Sequence, residues 1–217
     1  QRQMCIRDSS KSDLGLTTSV PTVVRVNPTA DLHTLNTNAK WFMVTGSGPT
    51  GYDGRAGQIS KLFVVNMATG PGSANSLVNT LIVGNGTVNG VVGDMKSVDR
   101  NLDYRSDVVY FGRAMNNTSP WHGKIYRLAL GTVLPFGGAT DPNNWGVAGT
   151  GAAAGFRQAT EILDTFGTPS TELGPVLAAP ATAVDDASKL WVFVGTGRYF
   201  ANADKTDTST QYFVGVK

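Results

Sequence analysis

Leu190-Trp191-Val192-Phe193-Val194-Gly195-Thr196-Gly197 is an apolar, β-branched and aromatic run that stops at Gly-x-Gly. Trp41-Phe42-Met43-Val44-Thr45-Gly46-Ser47-Gly48 repeats the pattern closely, and Asp107-Val108-Val109-Tyr110-Phe111-Gly112 repeats it more loosely. Runs of this length and composition, bounded by Gly, Asn and Asp, are strand signals. After a polar loop each is followed by another such run: Lys61–Asn66, Lys124–Leu128 and Gln211–Val216. Each is also preceded by one: Val20–Val24, Val91-Val92 and Ala179–Val184. A fourth strand per unit is expected at Ser76–Val83 and at Ala159–Phe166. Phe156–Phe166 is the one stretch that a helix fits nearly as well.

Repeated units of up to four strands read as blades of a β-propeller. The expectation is an all-β fold, a partial propeller of about three blades of four antiparallel strands. Such rings close with roughly four to eight blades, and three would leave unpaired sheet edges. The chain is therefore expected to be part of a larger ring.

The 217 residues are enough for a substantial core, with 41% hydrophobic and only 16% charged residues. Gly, at 26 residues, stands well above the ~7% norm, which suits a turn-rich β protein. A net charge of +2 with scattered Lys and Arg gives no footprint for nucleic acid. No apolar run approaches the ~18 residues of a transmembrane segment. Met4-Cys5-Ile6-Arg7-Asp8-Ser9 matches one reading frame of the transposase recognition end used in sequencing libraries. Residues 1–9 are accordingly read as a sequencing-adapter artefact outside the fold, which is assigned to 10–217.

Asp99-Arg100-Asn101-Leu102-Asp103-Tyr104-Arg105-Ser106-Asp107 carries the chemistry. Side-chain oxygens fall at positions 1, 3, 5 and 9, with the Arg105 backbone carbonyl at position 7. Alternating Asp/Asn around one carbonyl is how short loops supply the six to eight oxygens that Ca²⁺ takes. The predicted metal ligands are Asp99, Asn101, Asp103, Arg105 through its carbonyl, and Asp107, with Ca²⁺ as the cofactor. An ordinary solvated turn uses the same residue types, because Asp and Asn side chains bond nearby N–H groups. Tyr104 occupies the place where the helix–loop–helix calcium loop has Gly, and position 12 is Tyr110 rather than Glu. The loop is not an EF-hand.

Lys189–Phe200 followed by Ala203–Gln211, that is W-V-F-x-G-T-G-R-Y and then D-K-x-D-T-S-T-Q, resembles the PilC/PilY family. These are type IV pilus tip adhesins and assembly factors with a C-terminal β-propeller. Lys61–Gly70 is similar to blade strands of that family, and the resemblance spans about 19–217. It implies a non-enzymatic protein exported through the periplasm to the outer membrane and pilus tip. Its implied partners are minor pilins, with host-surface ligands as a further class. It also implies that calcium in the propeller loop tunes pilus extension against retraction, on the same five residues. Tyr104 and the cationic Arg100 and Arg105 depart from the pattern and are expected to weaken affinity.

Other chemistry finds less support. Gly46-x-Gly48 and Gly195-x-Gly197 lack the following helix that a dinucleotide loop needs. His33 and His122 have no partner at metal-ligand spacing, and no Ser or Cys lies in a nucleophile motif. Both histidines are read as surface or turn residues. Asp204 and Asp207 read as hydrogen-bonded loop scaffolding. The sequons at Asn116-Asn117-Thr118-Ser119 predict nothing in a bacterial-looking protein. Asp53–Gly57 and Asp141–Gly155 look like insertions. The tryptophans at 41, 121, 145 and 191 read as core or blade-packing groups rather than a sugar platform. Two alternatives remain: a quinoprotein-dehydrogenase-like propeller with a quinone beside Ca²⁺, and a carbohydrate-binding propeller using Trp121 or Trp145.

Overall fold

The nine apolar runs that define the repeat all become strands, because β-branched and aromatic side chains fit a pleated surface buried on at least one face. The computed structural model describes residues 13–28, 38–69, 76–86, 89–115, 120–131, 138–167 and 171–217. Residues 1–12, which include the suspected artefact, His33 and the 116–119 sequons lie outside the described residues.

In chain order the strands are β1 (Thr22–Val26), β2 (Lys40–Gly46), β3 (Lys61–Asn66), β4 (Leu77–Val83), β5 (Gly90–Val98), β6 (Val108–Met115) and β7 (His122–Ala129). There follow β8 (Val147–Ala148), β9 (Arg157–Leu163), β10 (Thr165–Phe166), β11 (Thr171–Glu172), β12 (Ala181–Val184), β13 (Leu190–Gly195) and β14 (Phe213–Val216). Among the described residues β1 to β9 form one nine-stranded sheet along the path β1-β2-β3-β4-β9-β7-β6-β5, with β8 paired to β9. β10 and β11 form a short ribbon, and β12-β13-β14 a third sheet.

This differs in one respect from separate four-stranded units. The first unit, β1 to β4, joins the second through a parallel pairing of Ile82 with Gln158 and Val83 with Ala159. Two edge strands with open backbone groups satisfy each other there. The fourth strand of the second unit is β9, so the stretch that also fitted a helix is extended. The two far ends of the path also meet. Val92 donates its N–H to Ser47 O at 3.0 Å, and Ser106 to Arg25 O at 2.8 Å.

The two halves face each other over the main core. Side chains alternate across a strand, so β6 sends Val109 and Phe111 into this core, while Val108 and Tyr110 point the other way to meet Val192 of β13. β7 likewise sends Tyr126 and Leu128 inward and Ile125 toward Val194. Every residue of β6 is buried as a result. Phe111 and Tyr126 are direct cross-strand partners and stack with ring centroids 5.6 Å apart. The connection between β11 and β12 crosses β6 so closely that a Cβ on Gly112 would collide with the Val176 side chain.

The 141–155 stretch is more than an insertion. Asp141 caps a short 3-10 turn, Pro142–Asn144, which delivers Trp145 into the core at 0% exposure. Its indole lies edge-on to Phe42 at 5.3 Å and donates Nε1–H to Ala139 O at 2.8 Å. Burying such a ring while satisfying its N–H makes it an anchor.

Candidate metal centre

The nine residues 99–107 close the β5–β6 hairpin between Val98 and Val108, which are direct partners. Asp107 N–H donates to Val98 O at 2.9 Å and Leu130 N–H to Asp107 O at 2.9 Å, so the loop's last ligand candidate is fixed to two strands. Leu102 and Tyr104 adopt φ of 59° and 65°, the left-handed region that side chains occupy at a cost. These two positions curl the chain so that the loop folds over itself.

Hydrogen bonds within the curl are dense. The Asp99 carboxylate accepts from Tyr104 N at 2.8 Å and Asp103 N at 3.3 Å. Asn101 Oδ1 accepts from Asp103 N at 3.3 Å, and its Nδ2 donates to Asp103 Oδ2 at 3.0 Å. Asp107 Oδ2 accepts from Arg100 N at 2.7 Å. The loop is docked on β1 as well: Arg25 N–H donates to Ser106 Oγ at 3.2 Å, and the Arg25 guanidinium to Tyr104 O.

Arg105 behaves differently from the expectation that it would contribute only a carbonyl. Its guanidinium is buried and grips Asp103, with Nε donating to Oδ2 at 2.8 Å and Nη2 to the same oxygen. Arg105 N–H donates to Asp103 Oδ1 at 3.0 Å, and Nη1 reaches Asn27 O at 3.3 Å. An Asp two residues before an Arg was the available sequence signal. The bond that anchors it, to Asn27 O, reaches far away in the chain.

The acids are unequally served. Burial alone would raise Asp103, but Arg105 and Asn101 outweigh it and hold its carboxyl below the usual range. Asp107 is pushed up, first by burial and further by the negative charge of Asp103 and Asp99, against the Arg100 N–H. The loop thus holds more buried negative charge than its own cations balance.

Among the described residues, no three His, Cys, Asp or Glu side chains converge as a finished metal cage. The donor set nonetheless fits a hard cation, since three carboxylates, an amide oxygen and a peptide carbonyl share one short curled loop. Occupancy requires Asp103 to share or surrender the oxygens it now gives to Arg105.

Elsewhere, a cleft of about 290 Å³ runs between Trp121, His122, Glu172, Arg198, Asp207 and Tyr212. His122 lies in strand β7, with its Nδ1 2.7 Å from Glu172 Oε2. The Arg198 guanidinium covers the Trp121 ring at 4.4 Å, and Trp145 is fully buried. Trp145 is therefore closed to a sugar, whereas Trp121 is half-buried at the cleft with a ring face under Arg198. Asp204 and Asp207 organise the 198–211 loop as hydrogen-bonding scaffolds: Asp204 Oδ2 accepts from Phe200 N at 2.7 Å and Ala201 N at 3.0 Å, and Asp207 Oδ1 from Ser209 N at 2.9 Å. No helix among the described residues is long and apolar enough to cross a membrane.

Comparison with known proteins agrees with this architecture. Residues 4–217 match the family described as the PilY1 beta-propeller domain. The type IV pilus biogenesis factor PilY1 of Pseudomonas aeruginosa, in strains PAO1 and PAK, is 26% identical over 206 residues. That alignment covers 91% of this chain but only 15% of the relatives' length. The crystal structure of the P. aeruginosa PilY1 C-terminal domain superposes with a TM-score of 0.62 at 26% identity, over 95% of this chain and 38% of that one. On sequence and fold together, the chain belongs to the PilY1 β-propeller family.

Proposed function

We propose that this chain is about three blades of the β-propeller of a type IV pilus biogenesis protein, and that its 99–107 loop binds Ca²⁺. The ligands are Asp99, Asn101, Asp103, the Arg105 carbonyl and Asp107. The role is non-catalytic. The ion neutralises the three carboxylates and clamps the β5–β6 hairpin, and through it the propeller acts in pilus assembly, extension–retraction control and surface adhesion. Minor pilins at the pilus tip and host-surface ligands are the partners, and the cell surface is the location.

The observation that carries this reading is Asp107: a buried carboxylate, tied to both β5 and the end of β7, and burdened by two neighbouring acids. Membership of the pilus family supplies the biological setting. Titration calorimetry of the intact protein with CaCl₂ tests the site. Saturable heat is expected for the wild type, and none for Asp107→Asn. An absence of heat at millimolar CaCl₂ in the wild type removes the ion from the account. In cells, Asp107→Asn is expected to alter the balance of surface pili while leaving the protein's abundance unchanged. Unaltered piliation would leave the ion a structural staple with no part in regulation.

A further inference from the structure

We infer that the Arg105 guanidinium is a built-in counter-ion that competes with Ca²⁺ for Asp103 and so sets the concentration at which the loop loads. The inference rests on the reading of 99–107 as a calcium loop, and adds to it an affinity-setting residue that is not itself a side-chain ligand.

The geometry is specific. Asp103 sits at the centre of the ligand sequence, and both its oxygens are engaged by Arg105, one by the backbone N–H and the other by the guanidinium fork. The guanidinium is not a passing surface cation. Its side chain is only 4% exposed, and Nη1 is held on Asn27 O, just beyond β1. A buried, anchored cation within hydrogen-bonding distance of a metal ligand repels any divalent ion that the ligand accepts. Arg cannot relieve this by losing its proton. Loading therefore either breaks the Arg105–Asp103 pair or tolerates the repulsion, and both weaken binding.

The same pair has a second consequence. Without metal it neutralises one of the three carboxylates, and it ties the loop to the segment just after β1 through Asn27. The loop therefore has an ordered metal-free state with Arg105 in the neutralising role. Exchange of one cation for the other at Asp103 then links calcium loading to the contact between the 99–107 loop and the segment after β1.

The test compares wild type, Arg105→Gln and Arg105→Lys in the intact protein, by CaCl₂ calorimetry and by thermal melting in chelator. Arg105→Gln removes the charge but keeps hydrogen-bonding groups. It is expected to melt lower in chelator and to bind Ca²⁺ about tenfold more tightly. Arg105→Lys retains the charge and is expected to stay within about threefold of wild type. Equal or weaker binding by Arg105→Gln overturns the competition while leaving the calcium site standing. Heat from neither protein overturns both. Should Arg105→Gln not fold, the wild type decides: its Arg105 Nε–H resonance, identified by its absence in Arg105→Lys, is expected to shift as CaCl₂ fills the site. A resonance unmoved at saturation refutes the competition.

Discussion

The 99–107 loop and the 198–211 loop are built from the same parts and reach different electrostatic ends. Each is rich in Asp and encloses an arginine paired with carboxylates. In the second loop one guanidinium, Arg198, is shared by Asp204 and Asp207, and backbone N–H groups take up other carboxylate oxygens. Burial would raise Asp204, but the Ala201 and Phe200 N–H groups and Arg198 outweigh it, and its carboxyl lies below the usual range. Asp207 is lowered too, first by Ser209 and further by Arg198. In the first loop one guanidinium is spent on Asp103, and Asp107 is left buried and raised. Acidic composition therefore does not make a metal loop. Of these two loops, the 99–107 one keeps a buried acid in excess of its local donors, and the 198–211 one does not.

That contrast is most sharply broken at Asp204. Its side chain is 3% exposed and accepts from two N–H groups and a guanidinium, so Asp204→Ala strands three half-buried donors. A loss of about 3 kcal/mol is expected, of equal size in chelator and in calcium. A deficit that calcium repairs would mean that the second loop also carries an ion.

Asp107→Asn probes the other side. The amide oxygen can still accept from Arg100 N, and a repelled charge disappears, so melting in chelator should stay the same or rise. The calcium-dependent gain, about 2.7 kcal/mol at a hundredfold excess over Kd, should vanish. Asp103→Ala should abolish the same gain, but at a cost in chelator, because it strands the Arg105 guanidinium. If Asp107→Asn melted as far below wild type in chelator as Asp204→Ala, the two loops would be scaffolds of one kind.

Tyr104 gives a smaller effect. It is exposed and left-handed, so Tyr104→Gly should relieve about 1 kcal/mol of backbone strain and raise the melting temperature in chelator. A fall instead would show that the Tyr104 ring, rather than its backbone, supports the curl.

How much of this was legible in the chain depends on how local the determinant is. β3 could be placed at Lys61–Asn66 without error because its residues alone specify an extended, buried strand. β1 begins two residues later than Val20, since Pro21 has no N–H to give a ladder and Val20 N–H goes to Asp94 instead. Trp145 was readable as a packing residue, but its partner was not, because nothing nearby in sequence shows Phe42 waiting for it and the stretch around it read as an insertion. The edge pairing of β4 with β9 was equally hidden, as it joins segments far apart in the chain. At the site, the Asp/Asn spacing was readable, and so was Tyr104 in a place where the helix–loop–helix calcium loop has Gly, which it fills with a left-handed backbone. The Arg105 side chain was not readable, because its burial and its bond to Asn27 O depend on tertiary contacts outside the motif.

The smallest expected effect is in the acid limb of stability, and it separates the loops by sign. Asp204 and Asp207 titrate lower in the folded chain than in the unfolded one, where carboxyls have pKa values of about 4. Between the two values the unfolded chain binds more protons, so acid favours unfolding. The contribution of these pairs is complete above the unfolded value and is lost as pH falls through the folded one. Asp207→Asn removes one such group from an exposed position. Its melting temperature should lie slightly below wild type at neutral pH and converge with it as the pH drops below about 4. A buried acid that is raised, as in the first loop, acts the opposite way, favouring the fold as it protonates. A deficit for Asp207→Asn that widens in acid would therefore place Asp207 with Asp107, and the distinction between finished scaffold and acid surplus would fail at its most exposed member.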